Sequence, residues 1–232
     1  MVSGRRHAWS WVSRTWLYDQ FIEECIRRGA DMVLNLAAGL DARPYRMALP
    51  ADLTWIEVDL PELIQYKTEI LKDEKPVCKL ERVELDLADV DRRRELFAEC
   101  GRRASGAVVI TEGLIIYLDN AEVSTLARDL HAQPGFRHWI LDLCSPGLLK
   151  ILQKQIGPQL KQGGAPLKFG PPEGPGYFTP LGWNPISVRG LIKTAAKLKR
   201  LPFLFRLFAL LPESTGKQGG RPWGGACLLE RT

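Results

Sequence analysis

Two periods of apolar residues alternate along the first part of the chain. Over residues 13–26, Trp16, Leu17, Phe21, Ile22, Cys25 and Ile26 recur at helical spacing, with Arg14, Asp19, Glu23 and Glu24 between them, and Gly29 ends the helix. Residues 31–36 then form a short, almost wholly apolar run of the kind that a parallel sheet covers on both faces. A Gly-containing turn at 37–41 follows. The same order returns at 53–59, an apolar run with an acidic end, followed by a helix over 61–72 with Pro61 in its first turn.

The pattern predicts further strands at 79–85, 107–111 and 137–142, separated by helices at 89–100 and 121–131. Strands that alternate with helices over about 130 residues require crossover connections, and these belong to a doubly wound α/β sheet, mainly parallel and here expected to have seven strands. Beyond Ser145 the grammar loosens. Gly163-Gly164, the Pro171 to Gly176 stretch and Gly219-Gly220 read as loops, helical patterns lie at 148–157 and 186–211, and 225–230 reads as a last strand. No internal repeat or independent second domain emerges.

Composition adds exclusions. The chain has 232 residues, 45% hydrophobic and 25% charged, which suits one globular domain. Its 32 Lys and Arg against 27 Asp and Glu leave +5, too small and too dispersed an excess to indicate nucleic acid. The five cysteines, Cys25, Cys78, Cys100, Cys144 and Cys227, stand far apart with neither a Cys-x-x-Cys pair nor a His at metal-ligand spacing, so they read as reduced packing residues and no metal site is expected. His7, His131 and His138 lack sequence partners for nucleophilic or metal chemistry. No apolar run reaches the ~20 residues that span a bilayer, and the start of the chain lacks the apolar core of a secretory signal, so a cytoplasmic location is expected. The most basic stretch holds Lys193, Lys197, Lys199, Arg200 and Arg206 among Leu191, Ile192, Leu198 and Leu201. It reads first as a solvated helix face and second as a contact for anionic lipid.

In an open parallel sheet, ligands bind at the carboxyl ends of the strands near the point where strand order reverses. After the first strand stands Gly39, where the missing Cβ lets a ligand approach the backbone. Asp59 stands twenty residues on, a spacing suited to a carboxylate that accepts from ribose hydroxyls. Asp86-Leu87 follows the third strand and Thr111-Glu112-Gly113 the fourth. Asp59 and Asp86 each have a competing reading as helix caps, whereas Glu112 has no helix directly after it. Three carboxylates converging on one cleft call for a partner that donates hydrogen bonds or carries positive charge. S-adenosylmethionine, with ribose hydroxyls, an exocyclic amine and a cationic sulfur, meets that demand; the pyrophosphate of a dinucleotide has the wrong sign.

Four segments then occur in order: residues 35–46 (Asn-Leu-Ala-Ala-Gly-Leu-Asp-Ala-Arg-Pro-Tyr-Arg), 55–61 (Trp-Ile-Glu-Val-Asp-Leu-Pro) with Lys67 downstream, 85–87 (Leu-Asp-Leu) and 111–118 (Thr-Glu-Gly-Leu-Ile-Ile-Tyr-Leu). Together they resemble the leucine carboxyl methyltransferase family, a class I S-adenosylmethionine-dependent group. The resemblance implies that Arg14 pairs with the methionine carboxylate of the cofactor, that Ala37 and Gly39 admit its methionine portion and that Asp59 holds the ribose. It further implies that Asp86 and Leu87 flank the adenine, that Glu112 meets the ammonium group, and that Tyr117 stands at the boundary between cofactor and acceptor. Two departures accompany it: Ala37 replaces the first Gly of the family's Gly-x-Gly turn, and little chain precedes Arg14.

The resulting expectation is one methyltransferase domain over 1–232, with 13–145 as the cofactor-binding core and 146–232 shaping the acceptor site. The reaction expected is methyl transfer to a carboxylate of a small molecule or a protein terminus. Such an acceptor is ionised at neutral pH, so orientation and desolvation matter more than a general base. A nicotinamide-dependent oxidoreductase and a non-catalytic nucleoside-binding relative are the alternatives. None of the five tyrosines has the Lys four residues later that short-chain dehydrogenases require. Oligomeric state is not legible.

Overall fold

Helix α1 (Ser3–Arg27) opens the chain in the computed structural model, which describes residues 3–212, 214–217 and 220–232, without side chains at 3–7, 204, 206 and 208. Gly219 and the side chains of His7 and Arg206, used in the sequence reading, lie outside the described residues. The helix turns its Leu17, Tyr18, Phe21, Ile22 and Cys25 face fully inward, against Val33, Val108, Ile110 and Ile140 of the sheet. Each such enclosed apolar side chain contributes roughly 1.5–3 kcal/mol. Gly29 at φ +92° ends the helix: its N–H donates to Ile26 O at 2.9 Å while Ala30 N–H reaches Cys25 O at 3.0 Å, the paired bonds of a Schellman cap.

The sheet then builds in βα units: β1 (Met32–Leu36), a single turn α2 (Arg43–Arg46), β2 (Thr54–Asp59), α3 (Pro61–Ile70), β3 (Lys79–Glu84), α4 (Val90–Arg103), β4 (Ala107–Thr111), α5 (Asn120–His131) and β5 (Phe136–Cys144). α6 (Pro146–Gln155), α7 (Gly157–Gln162), β6 (Trp183–Gly190), α8 (Leu191–Lys197) and β7 (Gly224–Arg231) complete it, with short 3-10 helices between. The seven strands lie in the order β3-β2-β1-β4-β5-β7-β6. β1 to β5 are mutually parallel, and β7 runs antiparallel between β5 and β6. Strand order reverses between β1 and β4, so the crevice foreseen at the strand ends falls there.

Period-two alternation divides the strand side chains. Val33 faces α1, whereas Met32, Leu34 and Leu36 face the larger cluster of Phe97, Val123, Leu126 and Leu130 from α4 and α5. On that second face Trp139, Phe178 and Trp183 pack edge to face, with the Trp183 indole N–H on Ala127 O at 3.0 Å. Trp183 and Phe178 therefore anchor the loop before β6 rather than line a cleft, and Tyr177 does the same through Ser124 and Asn120 O.

One expected element is corrected. The helix read over 186–211 is instead the end of strand β6, the seven-residue helix α8 and a 3-10 turn at Phe203–Leu210. β6 is an edge strand whose register shifts between Pro185 and Ser187, and among the described residues it pairs with β7, some 40 residues later in the chain. A local period gives no sign of so distant a partner. All five cysteines are buried, and burial pushes Cys25 and Cys144 up to about 12, leaving unreactive thiols.

Candidate functional site

The turn after β1 is shaped by two left-handed residues, Ala37 at φ +53° and Gly39 at φ +51°. A Cβ built on Gly39 would meet nothing within 4 Å, so the space beside it is open to a ligand. Ala38 N–H ties the turn to Val58 O at 3.1 Å, and Gly39 N–H donates to Asp59 Oδ2 at 2.7 Å. Asp59 Oδ1 accepts from Leu60 N–H at 2.8 Å. The buried carboxylate thus has one protein hydrogen bond on each oxygen and retains acceptor capacity on both. It is not the cap of α3, whose first turn has no side-chain cap.

Leu85 N–H donates to Asp59 O at 2.9 Å, which sets the end of β3 beside the end of β2. Asp86 is exposed, its Oδ1 accepting from Ala88 N–H at 2.9 Å, and Asp89 rather than Asp86 caps α4. Leu87 is half-buried, and its carbonyl accepts from Arg93 NH1 at 2.9 Å. Arg93 is itself paired with Asp129 of α5, so two helices hold this loop.

Glu112 lies at the centre of the other half. Arg14 from α1 donates through Nε to its Oε1 at 2.9 Å, and Arg43 NH2 stands 2.8 Å from its Oε2, an ionic approach off the hydrogen-bonding direction. Arg43 is 3% exposed at its side chain and also pairs with Asp19 at 2.7 Å and Asp41 at 2.8 Å. Burial works against its charge, and Asp41, Glu112 and Asp19 more than offset that, raising its pKa. Asp41 in turn accepts from Asn35 Nδ2 at 2.9 Å, which fastens the turn to β1.

Asp142 of β5 completes the network. Its Oδ1 accepts from Gly113 N–H at 2.6 Å and from the Tyr18 hydroxyl at 3.1 Å, and its Oδ2 lies 3.4 Å from Arg14 NH1. Burial, then Asp142 and Glu112, hold the Tyr18 phenol well above its usual range, so it stays a donor. Gly113 sits at φ +68°, where a Cβ would approach Arg14 NH1 to 3.2 Å.

The structure therefore brings Arg14 to Glu112 and Gly39 to Asp59, and carries Ala37 in the same turn. Asp86 and Leu87 adjoin this group through the backbone. Tyr117 is not joined to them by any hydrogen bond or ion pair among the described residues; it packs on the cluster of Cys144, Leu149 and Leu167 under α6 and α7. The structure adds protein partners for these carboxylates: Arg14 and Arg43 compensate Glu112, and backbone N–H groups serve Asp59. Asp142, Arg43 and Tyr18 went unforeseen. A lone Asp near the carboxyl end of an otherwise apolar strand was the available sign for Asp142, while Arg43 stood inside the first motif without an assigned role.

Lys67, which followed the second motif, proves structural. Its Nζ is 2.7 Å from Glu57 Oε1, with side chains 2% and 0% exposed, and Arg82 Nε donates to Glu57 Oε2 at 3.1 Å.

Comparison with known proteins agrees with this architecture. The fold is that of class I S-adenosylmethionine-dependent methyltransferases, a Rossmann-like sheet with an antiparallel seventh strand. A family model described as leucine carboxyl methyltransferase matches residues 2–131, and the chain belongs to that family. A protein of Mycobacterium marinum, provisionally named an S-adenosyl-L-methionine-dependent methyltransferase, is 40% identical over 120 residues, covering 50% of this chain and 40% of its own length. The chain thus spans less than half of that relative. Among solved structures, a DUF574 family protein from Streptomyces avermitilis has a TM-score of 0.65 at 11% identity, with 98% of this chain and 83% of that one covered. Magnesium protoporphyrin IX methyltransferase from Synechocystis PCC 6803, solved with bound SAH, has a TM-score of 0.54 at 14% identity, with 95% and 84% covered.

Proposed function

We propose that the protein transfers a methyl group from S-adenosylmethionine to the oxygen of a carboxylate, on a small molecule or a protein terminus. The observation that carries the reading is the pairing of Asp59 with the open turn at Gly39: a buried carboxylate with one free acceptor position per oxygen, next to backbone with room for a ligand. When bound, S-adenosylmethionine supplies a methyl group on a positively charged sulfur, which a carboxylate oxygen can displace.

The chain's own residues have the following work in this reading. Asp59 accepts from the ribose hydroxyls, and the exposed Asp86 with Leu87 borders the adenine. Glu112, already held by two arginines, accepts from the ammonium group, and Arg14 offers the 30% of its side chain that stays exposed to the carboxylate. Ala37 and Gly39 line the methionine portion. Tyr117, set between the Glu112 loop and the apolar cluster under α6, marks the acceptor boundary, so residues 146–232 shape the acceptor site and 13–145 the cofactor core. A carboxylate needs no base to become a nucleophile, and among the described residues the network holds no His or Lys.

Calorimetric titration with S-adenosylmethionine, S-adenosylhomocysteine, NADH and NADPH tests the cofactor. Micromolar binding of the first two alone is expected; binding of the nicotinamides alone would overturn it, and silence from all four would favour a non-catalytic relative. Transfer of labelled methyl into carboxylate acceptors then tests the chemistry, because a methyl ester releases methanol in mild alkali and a methyl ether does not.

A further inference from the structure

Five large apolar side chains are exposed along the segment after α8: Phe203 79%, Leu207 75%, Leu210 81% and Leu211 58%, with Phe205 at 41%. They are not scattered: the rings of Trp9 and Phe205 meet at 5.9 Å, which joins the start of α1 to the 3-10 turn at Phe203–Leu210. α8 packs on both elements, and its Lys197 Nζ lies 4.9 Å from the Trp16 ring centroid. Single exposed apolar residues need no explanation, but a contiguous group of this size marks a contact surface.

Charge selects the partner. Residues 174–212 carry Arg189, Lys193, Lys197, Lys199, Arg200 and Arg206 and no Asp or Glu, in a chain whose totals are 32 basic and 27 acidic. The apolar face is therefore bordered by a segment of one sign, with Lys199 and Arg200 exposed immediately before it. Aromatic and Leu side chains beside Lys and Arg fit a surface with an apolar interior and anionic headgroups. No described helix is long and apolar enough to cross a bilayer, so the contact would lie in the interface.

We propose that this face, formed by the Phe203–Leu210 segment and Leu211 with the basic residues of α8 and its C-terminal end, docks on an anionic lipid surface. Vesicle binding is read without cofactor, which makes the proposal independent of the methyltransferase reading.

The test is sedimentation of the purified protein with vesicles of phosphatidylcholine alone or mixed equally with phosphatidylglycerol. Binding to the anionic vesicles that falls at high salt is expected. Leu207→Ser with Leu210→Ser should lower partitioning by about tenfold or more, and both sites are exposed enough to spare the fold. Lys199→Gln with Arg200→Gln should cost about fivefold per charge on anionic vesicles only. The proposal is overturned by absence of binding, or by binding that both double variants retain. It is equally overturned by a dimer that Leu207→Ser with Leu210→Ser dissociates while vesicles bind neither form.

Discussion

Two clusters of buried charge flank the crevice, and they are built differently. Around Glu57, the carboxylate and Lys67 are sealed at 0% and 2% exposure, and Arg82 closes the remaining oxygen. Burial pushes the Glu57 carboxyl up while Lys67 and Arg82 oppose it. Around Glu112, the carboxylate keeps 16% exposure and Arg14 30%, and Glu112 directly follows β4, next to the point where strand order reverses. Glu57 and Lys67 have no surface to offer a ligand, so this ion pair acts on stability. The second cluster keeps part of its charge exposed at the carboxyl ends of the strands, where an open parallel sheet binds ligands. Both segments carry a motif of the family, so motif membership alone does not distinguish a site from a support.

The sharpest break of this contrast is Lys67→Met. It removes the cation on Glu57 Oε1, leaves Arg82 on Oε2, and should cost up to about 3 kcal/mol in denaturant unfolding, much of it recovered by Glu57→Gln with Lys67→Met. An unchanged unfolding midpoint would place Lys67 outside the folding energetics.

Asp59→Ala should act on the opposite quantity. Affinity for S-adenosylmethionine should fall by about 1.5–3 kcal/mol in calorimetry while thermal unfolding stays cooperative, and unchanged affinity would sink the ribose role. Glu112→Gln should lose less affinity than Glu112→Ala if the group acts as an acceptor; equal losses would point to charge.

A smaller effect is expected at Ala37, whose φ of +53° strains any residue with a Cβ. Ala37→Gly relieves that strain against the greater freedom of glycine in the unfolded chain, for a net gain of about 0.5 kcal/mol in melting experiments. A loss would mean that the methyl group packs usefully in the turn.

His138 offers the mildest probe, away from both clusters. Burial lowers its pKa from the ordinary 6.5, with Glu230 opposing and Arg28 adding to the shift. The unfolded chain therefore binds the proton more readily, so this group's contribution is present above about pH 6.5 and is lost as pH falls through the folded value. Stability measured across that window should slope downward toward acid in the native protein and less steeply in His138→Gln.

Legibility in the sequence followed the range of the interactions. The five parallel strands, the helices between them and the acidic strand ends rest on periods of two and 3.6 and on residues within one βα unit. The Asp59 spacing belonged to the same local grammar. Arg43 paired with Glu112 across 69 positions, and Gly113 with Asp142 across 29; neither pairing leaves a periodic trace. Residues 186–190 of strand β6 were read as helix because Pro185 and the register shift beside it break the alternation, and because β7, the partner strand, lies far along the chain.

The sequence by itself determined the class of fold and the order in which Gly39, Asp59, Asp86 and Glu112 follow the parallel strands, since hydrophobic period and turn chemistry act over a few residues. Only the tertiary structure decided which carboxylates were already compensated, which lysine was a support and which apolar residues stayed in water. Those outcomes depend on how much solvent remains around a group once distant segments have packed, a property that no stretch of sequence carries alone.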